Sequence, residues 1–259
     1  MTVLGKAGEE FTPPSSRDFE LPEIFGDGTI LTKPMLLVLL STVIIAVFFY
    51  AAARRAAIVP GKLQFAGEGV YGFVRDGVAR DVIGPDFLKF VPYLVTLFSF
   101  IVVNNVFGII PVIQFPPMSR IAFPAVLAII SWLVFNYIGV RRKGAFRYFK
   151  DMMFPPGVPK PVYLLLAPIE FVSTVVVRPL TLALRLFANM FAGHLLLLVF
   201  ILGGEHLLVS GGLLAAVSIP AFLLGIVLTF FELLVQVLQA YIFTLLTALY
   251  IAGALADEH

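Results

Sequence analysis

Five ionisable side chains fall inside long apolar stretches of this 259-residue chain: Glu170, Arg178, Arg185, His194 and Glu232. An ionised group at mid-membrane depth costs ~2.5 kcal/mol or more, so such residues point to function by default. Acids, an imidazole and guanidiniums placed together there can move protons. Carboxylate and imidazole exchange them, while a guanidinium keeps its charge and favours ionisation of a neighbouring carboxyl group. Arg185 lies more than 15 residues from either end of its apolar stretch. From an upright helix its head could not reach the headgroups by snorkelling. The plain alternative is an internal ion pair with Glu170 or Glu232.

Helical spacing orders these residues. At about 100° per residue, Arg178 lies about 20° from Arg185, Thr181 and Asn189 about 40°, and Glu170 about 60°. His194 falls about 180° away and is expected to meet a different neighbour, Glu232 on the last apolar stretch. Glu232, Gln236, Gln239, Thr247 and Tyr250 share a second stripe within about 60°. Gln and Thr alone would read as interhelical hydrogen bonds; with acid and base on the same elements, a proton path is the better reading.

The elements that must hold these residues are membrane helices. Apolar residues make up 60% of the chain and charged residues 13%, about half the charge of a soluble domain. Cys is absent, which excludes disulfides, zinc knuckles and iron–sulfur clusters. His194 and His206 are the only histidines before the last residue, too few to ligate haem across two helices. No metal, cofactor or catalytic site of its own is expected, and the net charge of +2 gives no reason to propose nucleic acid as a partner.

Charge along the chain sets the topology. Residues 1–33 carry a net charge of −3 and read as an external tail. Spans follow at 34–53, 91–111 and 120–140, each near the ~20 residues that cross the hydrocarbon. The first is expected to be retained, since the segment before it is acidic where a signal peptide has a basic one. Residues 54–90 and 141–161 are basic and read as cytoplasmic. In the former, Leu63, Ala66, Val70, Phe73, Val74 and Gly77 recur at helical spacing, which predicts an amphipathic helix on the membrane surface. In the latter, Pro155, Pro156, Pro159 and Pro161 break any helix. Two longer stretches, 162–202 and 213–254, are joined by Gly203-Gly204 through Gly211-Gly212. Each is two short spans or one steeply tilted helix. The prediction is a single all-α polytopic membrane domain over 1–259 with about five membrane helices, the last two a long tilted hairpin. The C-terminus is then cytoplasmic.

Two motifs bear a family resemblance. Leu184-Arg185-Leu186-Phe187-Ala188-Asn189-Met190-Phe191-Ala192-Gly193-His194 resembles the signature of the a subunit of the F-type ATP synthase. The stretch Glu232 to Tyr250, with Gln239-Ala240-Tyr241-Ile242-Phe243-Thr244-Leu245-Leu246, is similar to that family's last helix. The resemblance implies two long tilted helices set against a rotating ring of c subunits. It also implies b-type peripheral-stalk subunits and a soluble catalytic head as partners, with lipid around the whole. Arg185 would face each ring carboxylate. Asn189, His194, Glu232 and Gln239 would line the outer half-channel, and Glu170 and Thr181 the inner one. The match departs at one point: eight residues separate Glu170 from Arg178, where the family pattern has seven. The implied location is a bacterial plasma membrane, or else an organelle inner membrane. The rival from another class is a proton- or cation-coupled secondary transporter. Such proteins usually carry inverted repeats and helices broken at matching positions, and neither is found.

Overall fold

The computed structural model describes residues 32–54, 57–110, 113–154 and 162–256. The tail expected at 1–33, the proline cluster Pro155 to Pro161 and the last three residues fall almost wholly outside the described residues. The described elements are helices, because every long stretch is apolar and a helix satisfies its own backbone in lipid. The chain is an all-α polytopic membrane protein. Among the described residues, four helices are long and apolar enough to span a membrane, and a fifth, of 16 residues, is shorter.

Helix α1 (Lys33–Arg54) packs against α2 (Lys62–Val74), where the missing side chain of Gly67 admits Ala52 and Phe48. Helix α2 runs on through a π turn, Arg75–Arg80, into one further α turn, Asp81–Ile83. Then come α3 (Val91–Val106), α4 (Ala122–Lys143) and a short α5 (Ala145–Met153). The connection between α4 and α5 turns at Gly144, at φ 81°, a conformation that favours glycine. Helix α5 folds back on α4: the Tyr148 ring fills the space a Cβ would need at Gly139, and its hydroxyl donates to Asn136 Oδ1 at 3.2 Å.

The two long stretches are one helix each. Helix α6 (Tyr163–Ser210) has 48 residues and α7 (Gly212–Leu255) has 44, rods of about 72 and 66 Å. That is more than twice a ~30 Å hydrocarbon layer, so each must tilt or bend to remain within it. The chain reverses at Gly211 and Gly212, with φ of 73° and 58°. Gly203-Gly204, read from sequence as the start of the linker, lies inside α6. Gly204 serves close packing instead: a Cβ there would press on Phe222 at 3.2 Å. Gly225 meets Ile201, and Gly193 meets Glu232, in the same antiparallel register.

The main core joins α2, α3, α4, α6 and the C-terminal half of α7, around Leu94, Ile101, Phe135, Leu186 and Phe243. The N-terminal half of α7 is largely uncovered, with Leu213, Ile219, Leu223 and Phe230 all exposed.

Candidate functional site: a guanidinium between two polar clusters

Arg185 is exposed, and so are Thr181, Leu184, Ala188 and Ala192 on the same face of α6. Among the described residues it makes no ion pair, so the internal partnership with Glu170 or Glu232 is not formed. Thr181, one turn earlier, donates its hydroxyl to its own helix, at 2.7 Å to Val177 O and 3.0 Å to Arg178 O. A fixed charge therefore stands on an apolar, uncovered face, bordered by small side chains that let another surface come close.

On one side of Arg185 along α6 lies a buried polar cluster. Asn189 Nδ2 donates to Gln239 Oε1 at 2.6 Å, across to α7. Gln236 Nε2 donates to Glu232 Oε1 at 3.2 Å, and Asn105 Nδ2 on α3 donates to Gln236 O at 3.3 Å. Glu232, Gln236, Gln239 and Asn105 are all buried. Each retains a polar atom without a hydrogen-bond partner in the protein: Glu232 Oε2, Gln236 Oε1, Gln239 Nε2 and Asn105 Oδ1. Most buried polar atoms are paired, and an unpaired one costs about 1–3 kcal/mol if dry. Four in one cluster fit a hydrated passage.

His194 is buried at the same helix contact, at 4% exposure. Glu232, expected from spacing to meet it, reaches the same contact. The carboxylate packs over the Cα of the preceding residue, Gly193, and takes its hydrogen bond from Gln236. The two residues share one neighbourhood at the helix contact.

On the other side of Arg185 a crevice of about 270 Å³ opens between α4, α5, α6 and α7. Glu170, Thr174 and Arg178 line it, with Lys143 and Asp151 at 3.9 Å from each other. The Arg178 guanidinium sits 5.3 Å from the Tyr250 ring centroid, within cation–π range. Between Glu170 and Arg178 the helix widens into a π turn, Ser173–Val177. The eight-residue spacing that departed from the family pattern thus spans one extra-wide turn.

A sequence model of the family described as ATP synthase A chain matches residues 35–252. The chain belongs to that family. A relative named ATP synthase subunit a, from Nocardioides sp., is 52% identical and aligns with 97% of this chain and 96% of its own length. Relatives of the same name from Frankia alni and Streptomyces lividans are 48% and 44% identical. They align with 98% and 96% of this chain, and each with 89% of its own length.

Sequence reasoning missed Asn105, Thr174 and Trp132. The adjacent pair Asn104-Asn105 in an otherwise apolar span was the available signal for the first. Asn104 has a structural task, donating to Ser41 Oγ at 2.8 Å and tying α3 to α1, whereas Asn105 joins the polar cluster.

Proposed function

We propose that the chain is the proton-conducting stator subunit of an F-type ATP synthase, coupling proton flow to rotation of a ring of small carboxylate-bearing subunits. One observation carries this reading: an exposed, unpaired Arg185 at the centre of a membrane helix, set between two separate polar clusters. The sequence relatives named ATP synthase subunit a support it.

A carboxylate facing lipid must be neutral, because a bare anion there is prohibitively costly. Beside Arg185 it ionises, since an opposite charge within about 6 Å favours the charged form. The guanidinium stays protonated throughout. It therefore separates the clusters electrostatically and stops protons passing straight from one to the other. The cluster of Asn105, Asn189, Glu232, Gln236 and Gln239, with His194 beside it, is the outer passage. The crevice holding Glu170 and Arg178, with Thr181 between it and Arg185, is the inner one. A proton entering by one passage must ride the ring to leave by the other. Driving force is about 2.3 kcal/mol per charge per 100 mV.

In this reading the chain forms no ATP and works with the ring, the peripheral-stalk b-type subunits and the catalytic head. The distribution of Lys and Arg supports a bacterial plasma membrane orientation with the N-terminus outside and the C-terminus in the cytoplasm. The test is Arg185→Ala in membrane vesicles carrying the full complex. Proton-driven ATP synthesis should be lost with assembly intact, and Lys should not restore it. Coupled synthesis at the unmodified rate would sink the reading.

A further inference from the structure

The π turn Ser173–Val177 changes which way Glu170 points. A π turn bonds i to i+5 and so holds one more residue than an α turn. In an unbroken α-helix, eight residues would set Glu170 about 80° from Arg178. With one residue absorbed, the two relate as residues seven apart, about 20°. Both then line the crevice, and Thr174 lines it with them.

Two features are specific to this turn. In its i to i+5 register the partner position for the Thr174 carbonyl falls on Pro179, which has no N–H. Thr174 O is taken up by Trp132 Nε1, which donates to it from α4 at 3.0 Å. The Thr174 hydroxyl also behaves unlike others in the long helices. Thr181, Thr229, Thr244 and Thr247 each donate to the carbonyl four residues back. Thr174 does not: it is 1% exposed, and its Oγ1 has no hydrogen-bond partner in the protein. A buried hydroxyl without a partner is uncommon; here it belongs to a crevice-lining residue with an acid and a guanidinium as neighbours.

The geometry points to a register device. The π turn, locked by Trp132, swings Glu170 onto the Arg178 face and leaves the Thr174 hydroxyl free to order a proton or water in the crevice. Trp132 is a positioning residue, and Thr174 is a further member of the inner path. This inference rests on the reading of the crevice as the inner passage, and its two parts are tested by separate readouts.

The Cys-free chain allows single cysteines in the full complex, in inverted vesicles whose cytoplasmic face is outward. Reactivity toward a membrane-impermeant methanethiosulfonate reads the register. Cysteine at 170 should react about tenfold faster than cysteine at exposed Ile169 or Val172, because only a wetted thiol ionises readily. Deleting Val176 turns the π turn into an α turn and should preserve that reactivity. Inserting one Ala after Val176 rotates position 170 by about 100° and should abolish it. Trp132→Phe, which removes the indole N–H together with the five-membered ring that carries it, should lower reactivity at 170. Deleting Val176 and replacing Pro179 by Ala in that background should restore it, because the N–H at 179 then falls four residues on from Thr174 and satisfies its carbonyl. Restoration supports the device; a combined variant no better than Trp132→Phe alone overturns it, as does survival of reactivity after the insertion.

ATP-driven pumping by the same vesicles reads the path. Thr174→Val should slow it about tenfold, the scale of one lost hydrogen bond, and Thr174→Ser should not. Equal pumping by the Val and Ser variants overturns the role of the hydroxyl. A labelling pattern as expected, with pumping indifferent to both Thr174→Val and Glu170→Gln, would leave the register device standing and remove the inner passage.

Discussion

Asn189 Nδ2 lies 2.6 Å from Gln239 Oε1, one helical turn beyond Arg185, and so ties the helix that carries the exposed guanidinium to the buried stripe of α7. Gln239 is 2% exposed and has no hydrogen-bond partner for its own Nε2. The contact both ties the two long helices together and leaves a donor in the buried polar cluster.

Asn189→Leu and Gln239→Leu should each slow ATP-driven pumping about tenfold, the worth of one buried hydrogen bond. Because they share that bond, the double variant should be little worse than the poorer single one. Independent, multiplicative losses would show that the contact is not what couples them.

Gly193 offers a graded test of Glu232. A Cβ there would sit 3.5 Å from the carboxylate Oε1, ordinary contact. Gly193→Ala should pump at close to the unmodified rate. Gly193→Val, with branches that reach the carboxylate itself, should displace it and lose most pumping. Equal behaviour of the two in assembled complexes would mean that this contact does not position Glu232.

Gly139 is a packing site rather than a conformational one, since a Cβ would collide with the Tyr148 ring. Gly139→Ala should destabilise the α4–α5 contact by about 1–3 kcal/mol, as overpacking does. Faster proteolysis within Ala145–Met153 would report it. Tyr148→Leu in the same chain should relieve it in part, although the bond to Asn136 is lost; protection unchanged by Gly139→Ala would refute the packing argument.

Acidification should act on the α2 region in a narrow range. The hydrogen bond from Arg75 holds the Asp76 carboxyl below its usual range, and that from Lys89 does the same for Asp86. A carboxyl depressed in the folded state contributes stability above its unfolded value of about 3.9, lost as pH falls through the folded one. Both pairs are solvent-exposed, so the contribution is small. Backbone hydrogen exchange across Arg75–Phe90 should be unchanged between pH 8 and 5, apart from its intrinsic chemistry. Opening should begin only below about pH 4; loss of protection near pH 6 would point to a different group.

Cysteine labels test the orientation read from basic residues. Position 150 should react from the cytoplasmic side and position 210 from the outside. Reaction of position 150 from outside would reverse the topology.

Much of this arrangement was legible before any coordinates. Angular spacing on an ideal helix placed Thr181 and Arg185 on one face and Glu232, Gln236 and Gln239 on another, as the exposed and buried sides of α6 and α7 bear out. What was not legible lies where the backbone departs from ideality or a small residue does packing work. No periodicity rule shows a π turn, so Glu170 was placed about 60° from Arg185, whereas one absorbed residue carries it to the other side. Gly203-Gly204 read as a linker because glycine breaks helices in water; in the hairpin Gly204 instead admits Phe222. His194 was aimed at Glu232 by angle and by the cost each charge would spare the other; angle does not show that the carboxylate also packs over the neighbouring Gly193.

The uncovered guanidinium also gives an unassembled copy of this chain a distinguishing mark. Arg185 facing lipid costs ~2.5–3.5 kcal/mol, a sizeable share of what holds a domain together. If the chain works in the proposed complex, an orphan copy would be less firmly folded than an assembled one in the same bilayer, and proteases that act on transiently opened helices would remove it first. In that setting one exposed charge would tie the lifetime of the polypeptide to the completeness of the machine around it.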